Sequence, residues 1–234
     1  VPSLVSTLGA LGYSRTAFHP YYGEGWNRRN VYPLLGFENY ISIEDFVDQD
    51  ILDTYKQNND VTEYEMLLNE RYPDRNMLLR RFVSDSYDYS MVENMYENRD
   101  TSKPFFLFNV TMQNHGGYDW DGDGYFDKRI YLTGEEQDKY PTVDQYLSLV
   151  RYSDDAVQEL ISYFSKVDEP TAIVFFGDHQ PNLPEDFYNT LLESQRGDLS
   201  DAELRQKKMV TPFFIWANYD IEEQANVQIS ANYL

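Results

Sequence analysis

The stretch Thr171-Ala-Ile-Val-Phe-Phe-Gly-Asp-His-Gln180 decides the fold class. Pro170 precedes it, an apolar run follows Thr171, and an acid and an imidazole then stand side by side behind Gly177. A short, continuously apolar run of this kind reads as a buried strand. Open α/β sheets place ligands in the crevice beyond the carboxyl ends of their strands, so Asp178 and His179 are candidate functional residues, with Gly177 as the sharp turn that presents them. A carboxylate oxygen beside an imidazole nitrogen suits a divalent cation. An aspartate capping a turn next to a surface histidine is the plainer reading of the same pair.

The other two histidines also follow strand-like runs. Pro104 to Thr111 (PFFLFNVT) leads into Met112-Gln-Asn-His115-Gly-Gly117, and the weaker run Ser14 to Phe18 leads into His19 and Pro20. With three histidines in 234 residues, each at a strand exit, one shared site is expected.

Further strands are expected over Tyr40 to Ile43, Thr171 to Phe176 and Thr211 to Ala217. Helices are expected over Val1 to Leu11, where the pattern reads as already in progress, Asn27 to Leu35 stopped by Gly36, Pro73 to Glu97, Thr142 to Lys166, Leu183 to Ser194 and Ser200 to Lys208. The Thr142 helix is the clearest, because Val143, Tyr146, Leu147, Val150, Val157, Leu160, Ile161 and Phe164 recur at helical spacing. Helices alternating with apolar strands predict an α/β fold: a mostly parallel central sheet with helices on both faces.

Composition bounds the function. With 41% hydrophobic and 16% aromatic residues, the chain can bury one large core. The absence of cysteine excludes disulfides and thiolate metal sites. A net charge of -21 argues against nucleic-acid partners, which are polyanions. The compact basic pairs are Arg28 with Arg29, Arg80 with Arg81, and Lys207 with Lys208; the last two pairs read as solvated helix faces.

Three segments, taken together and in order, carry a resemblance. They are Gly12 to His19 with Gly25-Trp-Asn-Arg28 and Leu35-Gly-Phe37, then Val110-Thr-Met-Gln-Asn-His115, then Phe175-Phe-Gly-Asp-His-Gln-Pro181. The chain resembles the extracellular catalytic domain of lipoteichoic acid synthase-like phosphoglycerol transferases, in the sulfatase and alkaline-phosphatase superfamily.

That resemblance implies one divalent cation held by Asp178 and His179, manganese first, with magnesium or zinc as alternatives. It implies a glycerol-phosphate pocket lined by His19, Trp26 and Arg28, with His115 beside the reacting phosphate as the catalytic residue. The chemistry agrees: Arg28 offers a planar fork for phosphate oxygens, Trp26 an apolar wall, and His115 a proton donor or acceptor near neutral pH. The implied partners are a phosphatidylglycerol-type lipid and a glycerol-phosphate or glycolipid acceptor, at the extracellular face of a bacterial membrane reached through N-terminal segments outside these residues. The family's threonine nucleophile and a metal-binding glutamate match nothing here. Residues 1–234 are therefore expected to be one sulfatase-like domain fragment, inactive by itself.

A sulfatase or phosphodiesterase of the same superfamily, or a non-catalytic module for glycerol phosphate or glycans, are the rival functions. Separately, Asp119, Asp121, Asp123 and Asp127, in the run DWDGDGYFD, have calcium-loop spacing, but Ile130 stands where the bidentate glutamate belongs. An acidic hairpin or Asp-Gly turn between Tyr118 and a strand-like Arg129 to Leu132 is the favoured reading of the run.

Overall fold

The computed structural model describes residues 2–58, 61–72, 77–119, 126–193 and 199–230. By contacts the chain divides into two compact units, Val1–Leu160 with Pro181–Leu191, and Ile161–Gln180 with Leu192–Leu234.

The first unit is built on a parallel three-stranded sheet. Strand β1 (Ser14–His19) lies between β2 (Asn39–Ser42) and β5 (Phe105–Asn109), parallel to both. The register sets His19 opposite Ser42 and Phe18 opposite Asn109, so the carboxyl ends of all three strands meet at one rim. Helices flank this sheet. Helix α1 (Leu4–Ala10) precedes β1, and α2 (Arg28–Leu35) links β1 to β2. Val5, Ala17, Tyr32 and Phe37 form a buried cluster beneath them, against Phe106 and Phe108. The expected helix at Val1 is shorter than its apolar pattern. A capping box at Ser3, whose hydroxyl accepts from Ser6 N–H at 3.1 Å, starts it at Leu4.

Helix α2 ends as expected at Gly36, which takes φ 104 and accepts no side chain without strain. A Cβ there would make only ordinary contact with the Ser6 backbone, at 3.6 Å, so the cost lies in the backbone angle. Gly36→Ala is expected to cost about 1–2 kcal/mol, read as a lowered urea midpoint with unchanged slope. An unchanged midpoint would show that the helix end relaxes freely.

Two helices absent from the sequence expectation follow β2. Helices α3 (Gln49–Asn58) and α4 (Val61–Arg71) bury Ile51, Leu52, Tyr64 and Leu68 with Ile43, Val47, Met77, Leu78, Val83 and Tyr87. The helix expected over Pro73 to Glu97 is shorter. A hairpin, β3 (Leu78–Leu79) and β4 (Phe82–Val83), precedes α5 (Asp85–Glu97), which Ser84 caps through Tyr87 N–H. Arg80 turns the hairpin at φ 58, and no helix tolerates that value in its interior. Helix α6 (Pro141–Phe164) and α7 (Glu185–Glu193) match their expected patterns, with Tyr140, Val143 and Phe187 packed together.

The second unit pairs β6 (Ala172–Phe176) with β7 (Phe213–Ala217), and the pairing is antiparallel. Phe175 and Phe214 stack at 5.1 Å. No residue of β6 is fully buried, so the run that reads as a buried strand is half-exposed within its unit. Asn218 closes the turn before β6: its amide accepts from Thr171 N–H at 2.8 Å and donates to the carbonyls of Val167 and Glu169. Helix α8 (Asp201–Lys207) lies between the strands in sequence, started by a capping box at Ser200.

Candidate functional site

The parallel sheet delivers His19 as its innermost site residue. His19 is the last residue of the central strand, not a loop residue beyond it, and is 1% exposed. Its Nδ1 lies 2.7 Å from the carbonyl of Val110, which has no proton to give, so Nδ1 carries the proton and Nε2 is left with a lone pair. That Nε2 is buried and has no protein partner. Burial pushes the imidazole pKa down to about 4, opposed by the Val110 carbonyl and reinforced by the nearby Arg28 and His115. His19 is thus a neutral acceptor throughout the physiological range.

Around this ring the chain assembles an aromatic cluster. Trp26 meets His19 edge-on at 5.8 Å and His115 at 6.0 Å, and Tyr21 adds contacts to His19 and Trp26 at 6.0 and 5.9 Å. The indole is 58% exposed, an open platform and no core anchor. Its backbone pays for that position. Trp26 at φ 52 and Asn27 at φ 59 are consecutive non-glycine residues in the left-handed region, each costing roughly 1–2 kcal/mol. Such strain concentrates at ligand sites.

Arg28, at the start of α2, lays its guanidinium 4.3 Å above the Trp26 ring and donates from Nε to Tyr32 Oη at 3.1 Å. One of its terminal nitrogens is buried without a partner. A donor and an acceptor, Arg28 Nη1 and His19 Nε2, therefore border the same indole unsatisfied. The adjoining loop is fixed by Gly23 N–H, which donates to the Glu44 carboxylate at 3.0 Å, while Arg29 pairs with Glu44 at 3.4 Å.

His115 is exposed, and the structure shows why its loop nevertheless holds one shape. The fully buried Arg80 donates to the carbonyls of Gly117, Gln113 and His115 at 2.6, 2.8 and 3.0 Å. The reading of Arg80 as part of a solvated helix face is therefore wrong: its charge serves the interior of a loop. Gln113 is tied in turn, its amide donating to Ser153 Oγ at 3.0 Å and accepting from Asp85 N–H at 2.9 Å, and Asn114 donates to the same hydroxyl at 2.8 Å. Ser153 donates to the buried carboxylate of Asp85. Gly117, at φ 94, completes the loop.

Asp178 and His179 belong to the second unit and stand beside each other on its surface, 77% and 74% exposed. Asp178 Oδ1 accepts from His179 N–H at 2.8 Å, and His179 Nδ1 bonds the Gln180 carbonyl at 2.8 Å. That carbonyl holds the proton on Nδ1 and leaves Nε2 open, 3.7 Å from Asp178 Oδ2. One carboxylate oxygen and one imidazole nitrogen turned to the same side suit a divalent cation as a partial ligand set. Among the described residues no group of three or more acidic or histidine side chains gathers to complete it. Gly177 is not in a left-handed turn. It bonds Pro212 O at 3.1 Å and lies against Thr211, where a Cβ would approach to 3.2 Å.

For the acidic run, Asp119 and Asp127 are exposed, and Asp121 and Asp123 lie outside the described residues. The strand-like reading of Arg129 to Leu132 is not realised: Arg129 and Ile130 N–H groups instead donate to Ser148 Oγ, both at 2.9 Å.

The structure brings together the expected His19, Trp26, Arg28 and His115, and adds Tyr21, Phe82 and Arg80, which sequence reasoning did not single out for the site. Phe82 touches His115 at 5.6 Å and Tyr21 at 6.2 Å. No local pattern marks a hairpin residue as the neighbour of a distant histidine.

Fold and site together define an α/β protein with His19, Trp26, Arg28 and His115 gathered near the carboxyl end of its central parallel strand. The chain belongs to the sulfatase family, whose profile matches residues 1–234. It is similar to the capsular polysaccharide biosynthesis protein RkpI of Rhizobium meliloti, 28% identical over 75% of this chain and 26% of that protein. It is also similar to lipoteichoic acid synthase 1 of Bacillus subtilis, 20% identical over 85% of this chain and 26% of the synthase. Among solved structures it resembles the Streptococcus pyogenes phosphoglycerol transferase GacH in complex with sn-glycerol-1-phosphate, with a TM-score of 0.57 at 23% identity over 92% of this chain and 46% of that one. The lipoteichoic acid synthase LtaP of Listeria monocytogenes gives 0.59 at 21% identity, with the same coverage. The chain thus spans less than half the length of these solved relatives and under a third of the curated ones. No helix among the described residues is long and apolar enough to cross a membrane.

Proposed function

We propose that this chain carries the glycerol-phosphate pocket of a phosphoglycerol transferase that builds or decorates cell-envelope polymers. The observation that carries the reading is the unsatisfied pair beside Trp26: a neutral His19 Nε2 that can only accept, and a buried Arg28 nitrogen that can only donate. A ligand that answers both offers a hydroxyl proton and an anionic oxygen together, as glycerol phosphate does. Its hydroxyl donates to His19, a phosphate oxygen accepts from Arg28, and the glycerol carbons lie on the indole. The similarity to a transferase solved with sn-glycerol-1-phosphate supports the same choice.

In this reading His115 borders the phosphate from the exposed side and moves a proton there, while Arg80 holds its backbone in place. Asp178 and His179 would hold a divalent cation, manganese first, an ion of the kind that neutralises phosphoryl charge in such transfers. The donor is a phosphatidylglycerol-type lipid, the acceptor a glycerol-phosphate or glycolipid hydroxyl, and the setting the extracellular face of a bacterial membrane.

Calorimetry with sn-glycerol-1-phosphate tests the pocket without requiring turnover. Saturable binding with a Kd of about 0.1–1 mM is expected, and Arg28→Ala is expected to weaken it at least about tenfold by removing a charged hydrogen bond. Equal affinity in Arg28→Ala, or no heat from the unaltered chain, would reject the reading.

A further inference from the structure

Arg28 serves a ligand only if its fork is aimed, and a long side chain in the first turn of a helix has many rotamers open to it. Two contacts narrow them. The guanidinium carbon lies 4.3 Å from the centre of the Trp26 ring, which holds the fork against the indole. Its inner nitrogen, Nε, donates to Tyr32 Oη at 3.1 Å, which fixes how the fork is turned there. Tethered in this way, the guanidinium keeps its terminal nitrogens for a ligand, and Nη1 is buried without a protein partner.

Tyr32 is itself held rigidly. It is 7% exposed, and its ring meets Tyr40 at 4.9 Å, Phe37 at 5.2 Å and Phe108 at 6.4 Å. Tyr40 lies on β2 and Phe108 on β5, and both are in register with Ala17 of the central strand. The hydroxyl thus stands at the end of a ring with only two rotatable bonds, packed onto the sheet. The spacing of four residues along α2 places Arg28 and Tyr32 on one helix face. The kind of acceptor also matters. Arg15, Arg29, Arg71, Arg129 and Arg151 each pair with a carboxylate, whereas Arg28 has no ion pair among the described residues and its partner is a neutral hydroxyl. A tyrosine hydroxyl accepts from the guanidinium and leaves its charge whole; a carboxylate in that place would compete with an anionic ligand for it.

We propose that Tyr32 is a positioning residue for anion binding: its hydroxyl aims the Arg28 fork from the sheet side without neutralising it. This rests on the glycerol-phosphate reading of the pocket and deepens it, by naming the group that orients the charge. Tyr32 touches no ligand in this scheme and acts only through Arg28. Its loss therefore weakens binding only where there is a guanidinium to orient, and that dependence separates positioning from a general loosening of the helix.

The test is calorimetry on the whole chain with sn-glycerol-1-phosphate. Tyr32→Phe is expected to bind it about fivefold more weakly, with a urea midpoint close to that of the unaltered chain. In an Arg28→Lys background, where no Nε–H remains to be tethered, the same change is expected to alter affinity by less than about twofold. Tyr40→Phe removes a hydroxyl that has no protein partner from the same group of rings, and is expected to stay within about twofold of the unaltered chain. NMR gives a readout free of ligand: the Arg28 Nε–H resonance, assigned by its loss in Arg28→Lys, is expected to exchange slowly with water in the unaltered chain and fast in Tyr32→Phe. Undiminished affinity in Tyr32→Phe, an equal loss in the lysine background, an equal loss in Tyr40→Phe, or Nε–H exchange indifferent to Tyr32 would each overturn the positioning role and leave the Arg28 pocket standing. No binding by the unaltered chain rejects the pocket reading, and the positioning role with it.

Discussion

Arg80→Ala is expected to destabilise the first unit by about 4 kcal/mol and to abolish binding at the His115 loop. The guanidinium is fully buried and satisfies the carbonyls of Gln113, His115 and Gly117 at once. Truncation removes three charged hydrogen bonds, strands three carbonyls and opens a cavity beside Tyr118, whose ring lies 5.7 Å from the guanidinium carbon. Arg80→Lys is expected to recover less than half of the loss, because an ammonium on one stem cannot meet carbonyls spread over three positions. Urea unfolding checks the energy and calorimetry checks the binding. A midpoint shift worth under about 1 kcal/mol would mean that the loop holds its shape without this residue.

The second large effect is on pH. Asp85 and Asp88, one turn apart on α5, are both buried, and one oxygen of each has no protein partner. Burial raises the Asp85 pKa to about 6 against the Ser153 and Thr111 hydroxyls that lower it. Burial likewise pushes Asp88 well above the usual carboxylate range, opposed by Asn109 and helped by the charge on Asp85. Both groups bind protons more tightly in the folded chain than in the unfolded one. Their contribution therefore favours folding at low pH and is lost as pH rises, for Asp85 from about 4 through about 6 and for Asp88 in the same sense. For Asp85 alone the change is about 3 kcal/mol, from roughly 1.4 kcal/mol per pKa unit. Glu38, held low by its bond to Arg15, acts in the opposite sense, but only at pH values below the ordinary carboxylate range. The urea midpoint is thus expected to fall between about pH 4 and about pH 6, and Asp85→Asn to flatten that fall. Parallel pH profiles for the two proteins would show that Asp85 is not its source.

Much of the fold is legible along the chain because it is periodic. The apolar runs at Ser14 and Pro104 became parallel neighbours, and the Thr142 pattern became α6, since a strand or helix buried on a known face must repeat in sequence. The hairpin at Arg80 was not legible. Met77 to Val83 is apolar enough to pass for a helix, and only a backbone turn at φ 58 reveals otherwise. Likewise Thr171 to Phe176 has the composition of a buried parallel strand, yet it pairs antiparallel with β7 and stays half-exposed. Partner and direction are properties of two segments at once.

The same division runs through the site. Residue order pointed to His19 and His115 as imidazoles at strand exits, and the family resemblance carried by the ordered segments added Trp26 and Arg28. Only the tertiary structure decided that His19 is buried, neutral and tautomerically fixed by Val110, and that Arg80 is a loop's interior scaffold while Arg81 faces a cleft. Two adjacent arginines are identical as letters. Desolvation and hydrogen-bond supply separate them, and both are set by atoms that distant segments bring close.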